Sequence, residues 1–95
     1  MIFRRTARFK KAYQSLPKEI QQKAVRIFYL LKEDPSHPSI GIKKIKGMEG
    51  IWEGRINRSY RFTFHYENEP QTGEVVCVFR NIDNHIECLK NPKDM

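Results

Sequence analysis

The 95-residue sequence is poor in the features that mark exported, membrane-spanning and metal-binding proteins. It has only two cysteines, and neither lies in a C-x-x-C or other metal-ligand spacing, so reduced thiols in a cytoplasmic protein are the simplest interpretation. No apolar run approaches the roughly 18 residues of a transmembrane helix, and the N-terminal stretch MIFRRTARFKKAY lacks the apolar core of a signal peptide. We therefore expect a cytoplasmic protein with no membrane partner.

The charge of the chain is unbalanced. Eighteen Lys and Arg against eleven Asp and Glu give a formal net charge of +7, which favours a polyanionic partner such as nucleic acid or an acidic protein. Residues 1–26 hold eight basic side chains and one acidic one, whereas residues 67–95 hold three basic and six acidic. A hydrophobic fraction of 39% argues for a folded chain. We expect one basic domain spanning residues 1–95, because a chain of this length has room for a single core.

Hydrophobic periodicity predicts two helices in the first third of the chain. A first apolar stripe at helical spacing follows Thr6, a residue suited to cap a helix; its members are Phe9, Ala12, Tyr13 and Leu16. After the SLP break a second stripe predicts a longer helix that stops at Asp34-Pro35; its members are Ile20, Ala24, Ile27, Phe28 and Leu31. Because the connection between the two predicted helices is so short, it favours an antiparallel helix pair. A loop, DPSHPSIG, and a basic segment, GIKKIKGMEG, follow.

From residue 51 the period changes to two, which is typical of strands. Aromatic residues at even positions 60–66 alternate with Arg61, Thr63 and His65, which predicts one buried and one wet face. A three-residue turn at 57–59 would set Ile56 opposite Tyr60 in the core and Arg55 opposite Arg61 on the wet face. Directly opposed like charges destabilise a strand pair, so this face is costly unless it holds an anion.

The last third predicts one more strand and a short helix. Residues 75–79 are apolar on both faces, as expected near the middle of a sheet, and Arg80 is predicted to end the strand. The remainder, NIDNHIECLKNP, can form one or two helical turns, with His85 near the strand end and Leu89 turned to the core. We therefore predict an α+β fold: a helical hairpin on one face of a twisted, mainly antiparallel sheet of about four strands, a short C-terminal helix, and the arginines on the opposite, concave face.

Four motifs follow a short N-terminal strand and the helical hairpin in a specific order: KKIKG, IWEGRINRSYRFTF, VVCVFRNIDNH and LKNP. Over nearly the whole chain, this order resembles the RelE/ParE family of bacterial type II toxins. Many such toxins cut messenger RNA, commonly in the ribosomal A site, and each is neutralised by an antitoxin encoded beside it. ParE-type members instead poison DNA gyrase. The resemblance implies a RelE-like fold and a toxin function.

The resemblance also implies roles for single residues. Arg61, in SYRFTF, matches the arginine that RNA-cleaving members place at the scissile phosphate, and Arg55 matches a basic position on the preceding strand. Arg80 and His85, in FRNIDNH, resemble the arginine and C-terminal histidine of the YafQ-like branch, in which the histidine serves in acid–base catalysis. We take these four residues as the catalytic candidates.

The chain also departs from the family pattern. RelE has lysine where Glu53 falls, and its C-terminal tyrosine has no clear match here. The acidic residue that the YoeB branch uses in its basic segment is replaced by Lys43 or Lys44. The general base is therefore unassigned. Basic residues near the arginines are predicted to bind RNA phosphates; they are Lys43, Lys44, Lys46 and Arg58.

The chemistry fits these residue types. Attack of a 2′-hydroxyl on the adjacent phosphate needs a base, an acid and cations for the pentacovalent phosphorane, and it needs no metal. An unperturbed imidazole titrates at about 6.5, so His85 could exchange protons near neutral pH, and arginine forks suit phosphate oxygens. We predict a type II toxin acting as a metal-independent, ribosome-dependent mRNA endonuclease, without cofactor. Its expected partners are messenger RNA on the ribosome and an acidic antitoxin that wraps the toxin, with operator DNA reached only through the antitoxin.

Other interpretations stay open at this point. The chain could be a ParE-like gyrase inhibitor, or an inactive relative that only binds its antitoxin. Arg55 and Arg61 could lie on a solvated sheet face, His85 could cap a helix, and Arg80 could bridge the acidic C-terminal turn. His65 shares the Arg61 face but is expected only to decorate it. The three histidines are dispersed, so we expect no metal.

Overall fold

The computed structural model describes residues 1–84 of the chain. Its elements are β1 (Ile2–Arg5), α1 (Ala7–Gln14), α2 (Lys18–Glu33), β2 (Lys43–Lys44), β3 (Trp52–Arg55), β4 (Tyr60–Asn68) and β5 (Val75–Asn84). The strands form one sheet in the order β1-β5-β4-β3-β2, in which β1 runs parallel to β5 and all other neighbours are antiparallel. The predicted α+β class is confirmed. The described sheet has five strands instead of about four because two residues of the basic segment pair with β3.

Both predicted helices are present, with the predicted ends. Thr6 caps α1: its hydroxyl accepts a hydrogen bond from Phe9 N at 3.1 Å. The same hydroxyl donates to the backbone oxygen of Arg80 at 3.1 Å, so the cap also ties α1 to β5. Pro17 stands at the N-cap of α2, and Asp34, which precedes a proline, stands at its C-cap.

The core lies between the helices and one face of the sheet. Its buried members are Phe9, Leu16, Ile20, Ala24, Ile27, Leu31, Ile40, Ile56, Phe62, Phe64, Cys77, Phe79 and Ile82. The Phe62 ring lies over Gly54 on the neighbouring strand, where an added Cβ would stand 2.3 Å from Phe62 Cζ. Residue 54 must therefore be glycine for Phe62 to occupy this position.

The register of β3 against β4 is the predicted one. Arg55 pairs with Arg61, and Ile56 N donates to Tyr60 O at 3.0 Å across the three-residue turn 57–59. Both arginines therefore extend from the side of the sheet opposite the core.

The predicted end of β5 was wrong. Arg80 does not end the strand, since residues 81–84 continue it along β4. A register shift makes this possible: Thr63 pairs with Asn81, but the next residue of β4 pairs with Phe79, so Arg80 is the extra residue of a β-bulge. The bulge keeps Phe79 and Ile82 both in the core, although an unbroken alternation would place them on opposite faces.

The rest of the predicted C-terminal helix, including His85 and Leu89, lies outside the described residues. Of that predicted segment, residues 81–84 are strand and not helix. Within residues 1–84 no helix combines the length and apolarity needed to span a membrane.

Candidate functional site

The face of the sheet away from the helices carries a set of polar and charged side chains, which we call the polar face. Its members are Lys43, Glu53, Arg55, Arg61, Thr63, His65, Arg80, Asn81 and Asp83. Strand pairing arranges seven of them in two rows across the sheet. One row is formed by Lys43, Glu53, Thr63 and Asn81, and the next is formed by Arg55, Arg61 and Asp83. The polar face therefore gathers residues from four strands.

The centre of the polar face is buried, in contrast to the wet face that alternation predicts. Glu53, Thr63 and Asn81 expose 3%, 0% and 6% of their surface. Glu53 Oε1 lies 3.4 Å from Lys43 Nζ, which holds the lysine ammonium on this face. The Thr63 hydroxyl has no hydrogen-bond partner among the described residues. A buried and unpaired hydroxyl is unusual, because burial without a hydrogen bond costs free energy.

The backbones of Arg55 and Arg61 are directly paired across β3 and β4, but their guanidinium groups bind different carbonyls. Arg61 Nη1 donates to Asn57 O at 2.6 Å in the β3–β4 turn. Arg55 Nη2 donates to Pro38 O at 3.2 Å in the loop that follows α2. The repulsion predicted for this pair is thus moderated by backbone oxygens, and no bound anion is needed to account for the pairing.

Arg80 is bound to His65 on the neighbouring strand. Arg80 Nη1 lies 2.9 Å from His65 Nδ1. Because arginine has only donors and does not deprotonate in proteins, Nδ1 must be the acceptor. The imidazole proton then lies on Nε2, which donates to Glu67 Oε1 at 2.8 Å. This geometry assigns the Nε2–H tautomer to His65 and makes it the orienting partner of Arg80.

Glu67 completes this chain of contacts. The hydrogen bond from His65 lowers the pKa of the Glu67 carboxyl, and the positive charge of Arg4 adds to the effect. Arg4 Nη1 lies 3.6 Å from Glu67 Oε2, and its Nη2 lies 3.8 Å from Glu69 Oε2. Arg80 is thus linked through one imidazole and one carboxylate to β1, the edge strand beside β5.

The predicted phosphate-binding residues fall in several places. Lys43 lies on the polar face, whereas Lys44 extends from the opposite face, with Nζ 5.3 Å from the centre of the Trp52 ring. Lys46 is exposed in the turn after β2. Arg58 is exposed in the β3–β4 turn, and it lines a cavity together with Arg55. Successive strand residues point to opposite faces, so Lys43 and Lys44 do not share one.

Comparison with known proteins identifies the architecture. The YoeB/ParE toxin from Agrobacterium tumefaciens matches with a TM-score of 0.71 and 20% sequence identity, over 90% of this chain and 99% of that one. YafQ from E. coli strain BL21(DE3) matches with a TM-score of 0.72 and 10% identity, over 92% of this chain and 96% of that one. The toxin–antitoxin complex RelBE2 from Mycobacterium tuberculosis gives a TM-score of 0.62 and 21% identity, over 88% and 96% of the two chains. No protein-family model and no curated protein matches.

The chain has the RelE/ParE toxin fold. At sequence identities this low the likeness concerns the fold alone, and the site has to be argued from its own residues.

Within this RelE/ParE fold, the catalytic candidates divide into three groups. Arg61 and Arg80 lie on the polar face, on adjacent strands. Arg55 starts from the same face, but it binds the loop after α2 and lines the cavity near Arg58. His85 lies outside the described residues. Residues 1–84 contain no group of three His, Cys, Asp or Glu side chains that could hold a metal ion.

Sequence reasoning missed two residues of the site. His65 was placed on the Arg61 face but was not predicted to bind Arg80, because strand alternation gives the face of a residue and not where a long side chain ends. Lys23, on α2, lines the cavity with Arg55 and Arg58. In the sequence, Lys23 is only an exposed lysine four residues before the buried Ile27. Many amphipathic helices have a lysine in such a position, so this pattern does not mark a binding residue.

Proposed function

We propose that this protein is the toxin of a type II toxin–antitoxin system and that it is a metal-independent, ribosome-dependent mRNA endonuclease. The observation that carries the proposal is the placement of Arg61 and Arg80 on adjacent strands of one sheet face, within a RelE/ParE fold. Each guanidinium has a defined hydrogen-bond partner, Asn57 O for Arg61 and His65 Nδ1 for Arg80. Preorganised cations are the main requirement for stabilising a phosphorane.

The proposed reaction is attack of a ribose 2′-hydroxyl on the adjacent phosphate. The 2′-oxygen bonds to phosphorus and loses its proton to a base, the bond to the 5′-oxygen breaks, and an acid protonates that leaving oxygen. The products are a 2′,3′-cyclic phosphate and a 5′-hydroxyl. Arg61 and Arg80 stabilise the extra negative charge on the phosphoryl oxygens, because a guanidinium stays charged at every relevant pH. His85 is the proposed proton-transfer residue.

The basic surface supports a polyanionic partner. The formal net charge of +7 favours fast association with ribosomal RNA and with an acidic antitoxin. Solved structures with the same fold include the E. coli DinJ–YafQ toxin–antitoxin complex and the RelB–RelE complex from Methanococcus jannaschii. By analogy we propose an acidic antitoxin for this chain, with operator DNA bound only through it. Lys43, Lys46 and Arg58 are proposed to contact RNA phosphates.

The test is cleavage of messenger RNA on purified, programmed ribosomes. Wild-type protein should cut the messenger and leave a 2′,3′-cyclic phosphate. Arg61→Ala should lower the single-turnover rate by about 10²-fold or more, because one charge-stabilising donor is lost. His85→Gln should lower it by about 10²- to 10⁴-fold. The matched control is Arg26→Ala, which removes an exposed arginine of α2 and should cut at the wild-type rate.

Two results would overturn the assignment in different ways. If the protein cuts no messenger but stabilises DNA cleavage complexes of gyrase, it is a ParE-like gyrase inhibitor. If it does neither and yet binds its antitoxin, it is an inactive relative. In cells the same distinction is made by asking whether induction stops translation with cut transcripts or stops replication with an SOS response.

A further inference from the structure

A cavity of about 650 Å³ lies between α2, the loop that follows it and the β3–β4 turn. Three cationic side chains line it: Lys23 from α2, Arg55 from β3 and Arg58 from the turn. All three are exposed, and no acidic side chain of the described residues lines the cavity. We call this cavity the basic pocket.

The floor of the basic pocket is apolar. Ile27 and Ile56 line it, and they expose only 8% and 2% of their surface. Cations around an apolar floor fit a ligand that is charged at one end and flat and weakly polar elsewhere. A nucleotide has this distribution, and the volume of the cavity is within the usual range for small-ligand sites of about 300–1,000 Å³.

Arg55 is held in place at this pocket. Its Nη2 donates to Pro38 O, and an added Cβ at Gly41 would stand only 3.1 Å from that nitrogen. The guanidinium therefore lies against the backbone of residues 38–41, where a side chain at residue 41 would crowd it. Gly41 has a φ of +58°, which glycine adopts without strain.

The basic pocket adjoins Arg61 through the β3–β4 turn. Asn57, which lines the pocket, accepts the hydrogen bond from Arg61 Nη1 through its backbone oxygen. Arg55 and Arg61 are directly paired, and paired residues of adjacent antiparallel strands have Cα atoms about 4.5–5.5 Å apart. The Asn57 backbone therefore joins the Arg61 guanidinium to the wall of the pocket, so an RNA strand whose phosphate sits at Arg61 lies beside this turn.

We infer that the basic pocket binds the nucleotide next to the scissile phosphate of a single-stranded RNA. The phosphate of that nucleotide binds Lys23, Arg55 and Arg58, and its base lies against Ile27 and Ile56. The inference rests on the proposed function, since it concerns the RNA on which Arg61 acts. It also assigns Arg55 a binding role and not a catalytic one, and it makes Lys23 a ligand of RNA.

The experiment measures binding of a short single-stranded RNA, 2′-O-methylated so that it cannot be cut, to the full chain by fluorescence anisotropy over a range of salt concentrations. Lys23→Met should weaken binding about fivefold, the upper end for one exposed ion pair. It should also reduce the slope of log affinity against log salt by about 0.7, the value for one phosphate contact of a single strand. Lys18→Met is the matched control, because Lys18 is an exposed lysine of α2 that does not line the pocket.

A second arm tests the base. RNAs that lack the base on one or the other side of the cleavage site are compared with the intact RNA. One of the two abasic RNAs should bind the wild-type protein more weakly than the intact RNA does. This loss of affinity should be smaller in the double variant Lys23→Met/Arg58→Met, because the pocket then no longer holds the nucleotide. Thermal unfolding of each variant checks the fold, and methionine suits a helix as well as lysine does.

The outcomes separate the inference from the proposed function. If wild type cuts messenger RNA while Lys23→Met behaves like Lys18→Met in affinity and in salt slope, the pocket inference is wrong and the nuclease assignment stands. If Lys23→Met weakens binding of the antitoxin but not of RNA, the pocket holds an acidic peptide, and the inference is again wrong. If wild type neither binds nor cuts RNA, both fail together.

Discussion

The contact between His65 and Arg80 makes a sharp prediction, because the two ring nitrogens of His65 can be replaced separately. Asparagine places an acceptor oxygen near the position of Nδ1, whereas glutamine places an amide near Nε2 and leaves Nδ1 without a counterpart. If His65 acts by orienting Arg80, His65→Asn should keep most of the cleavage activity. His65→Gln should lose as much activity as His65→Leu, although glutamine can still donate to Glu67.

The expected loss of cleavage rate follows from the strength of the hydrogen bond between Arg80 and His65. The 2.9 Å contact joins a charged donor to a neutral acceptor, and such hydrogen bonds contribute about 1.5–3 kcal/mol. At about 1.36 kcal/mol for each factor of ten in rate, losing the orientation should slow cleavage by about 10- to 10²-fold. Removing the guanidinium itself, in Arg80→Ala, should cost about 10²- to 10³-fold. His65→Leu should therefore be slower than wild type but faster than Arg80→Ala.

The assay is single-turnover cleavage on programmed ribosomes, because single turnover separates chemistry from product release. Nitrogen-15 NMR of the His65 ring supplies a second readout that needs no nuclease activity: Nε2 should carry the proton and Nδ1 should be the acceptor. If His65→Asn is as slow as His65→Leu, or if all three variants cut at the wild-type rate, His65 does not position Arg80. If the ring carries its proton on Nδ1, the hydrogen-bond geometry itself is wrong.

Three further predictions concern stability. Gly54→Ala should lower the free energy of unfolding by about 1–3 kcal/mol, measured by denaturant titration, because its Cβ would overlap the Phe62 ring; an unchanged midpoint would contradict that packing. Thr6→Ala should cost about 0.5–2 kcal/mol through loss of the α1 cap, and Thr6→Ser should restore most of it. Burial raises the pKa of the Cys77 thiol from 9.0 to about 12, so its contribution to stability is full below pH 9 and is lost as pH rises towards 12. Cys77→Val should lack this alkaline loss, and parallel pH profiles for wild type and variant would refute it.

Much of the fold was predictable because it depends on local patterns. The two helices were marked by apolar stripes, by Thr6 at one start and by a proline at each boundary of α2. The β3–β4 register was predictable because only an odd turn keeps Ile56 in the core, so burial selected one pairing. The two-residue strand β2 was not predicted. A pair of lysines does not resemble a strand in the sequence, and these two form one only by pairing with β3.

The polar face was less predictable, for two physical reasons. Alternation shows which face a residue takes, but not what lies over that face, so the burial of Glu53 and Thr63 had no signal in the sequence. Opposed Cα atoms also do not fix where long side chains end: Arg55 and Arg61 are partners in the sheet but bind carbonyls of different loops. The shared face of Arg55 and Arg61 was therefore predictable, but the carbonyl that each guanidinium binds was not.

The β-bulge in β5 is the feature that joins fold and site. If β5 paired with β4 without a bulge, its alternation would be unbroken, and either Phe79 or Ile82 would leave the core. With it, Arg80 and Asn81 can both extend from the polar face, where Arg80 reaches His65 and Asn81 pairs with Thr63. Bulges of this kind redirect side chains near functional sites. The same bulge carries Asp83 to its place opposite Arg61, so one inserted residue sets the positions of every β5 side chain that faces the proposed scissile phosphate.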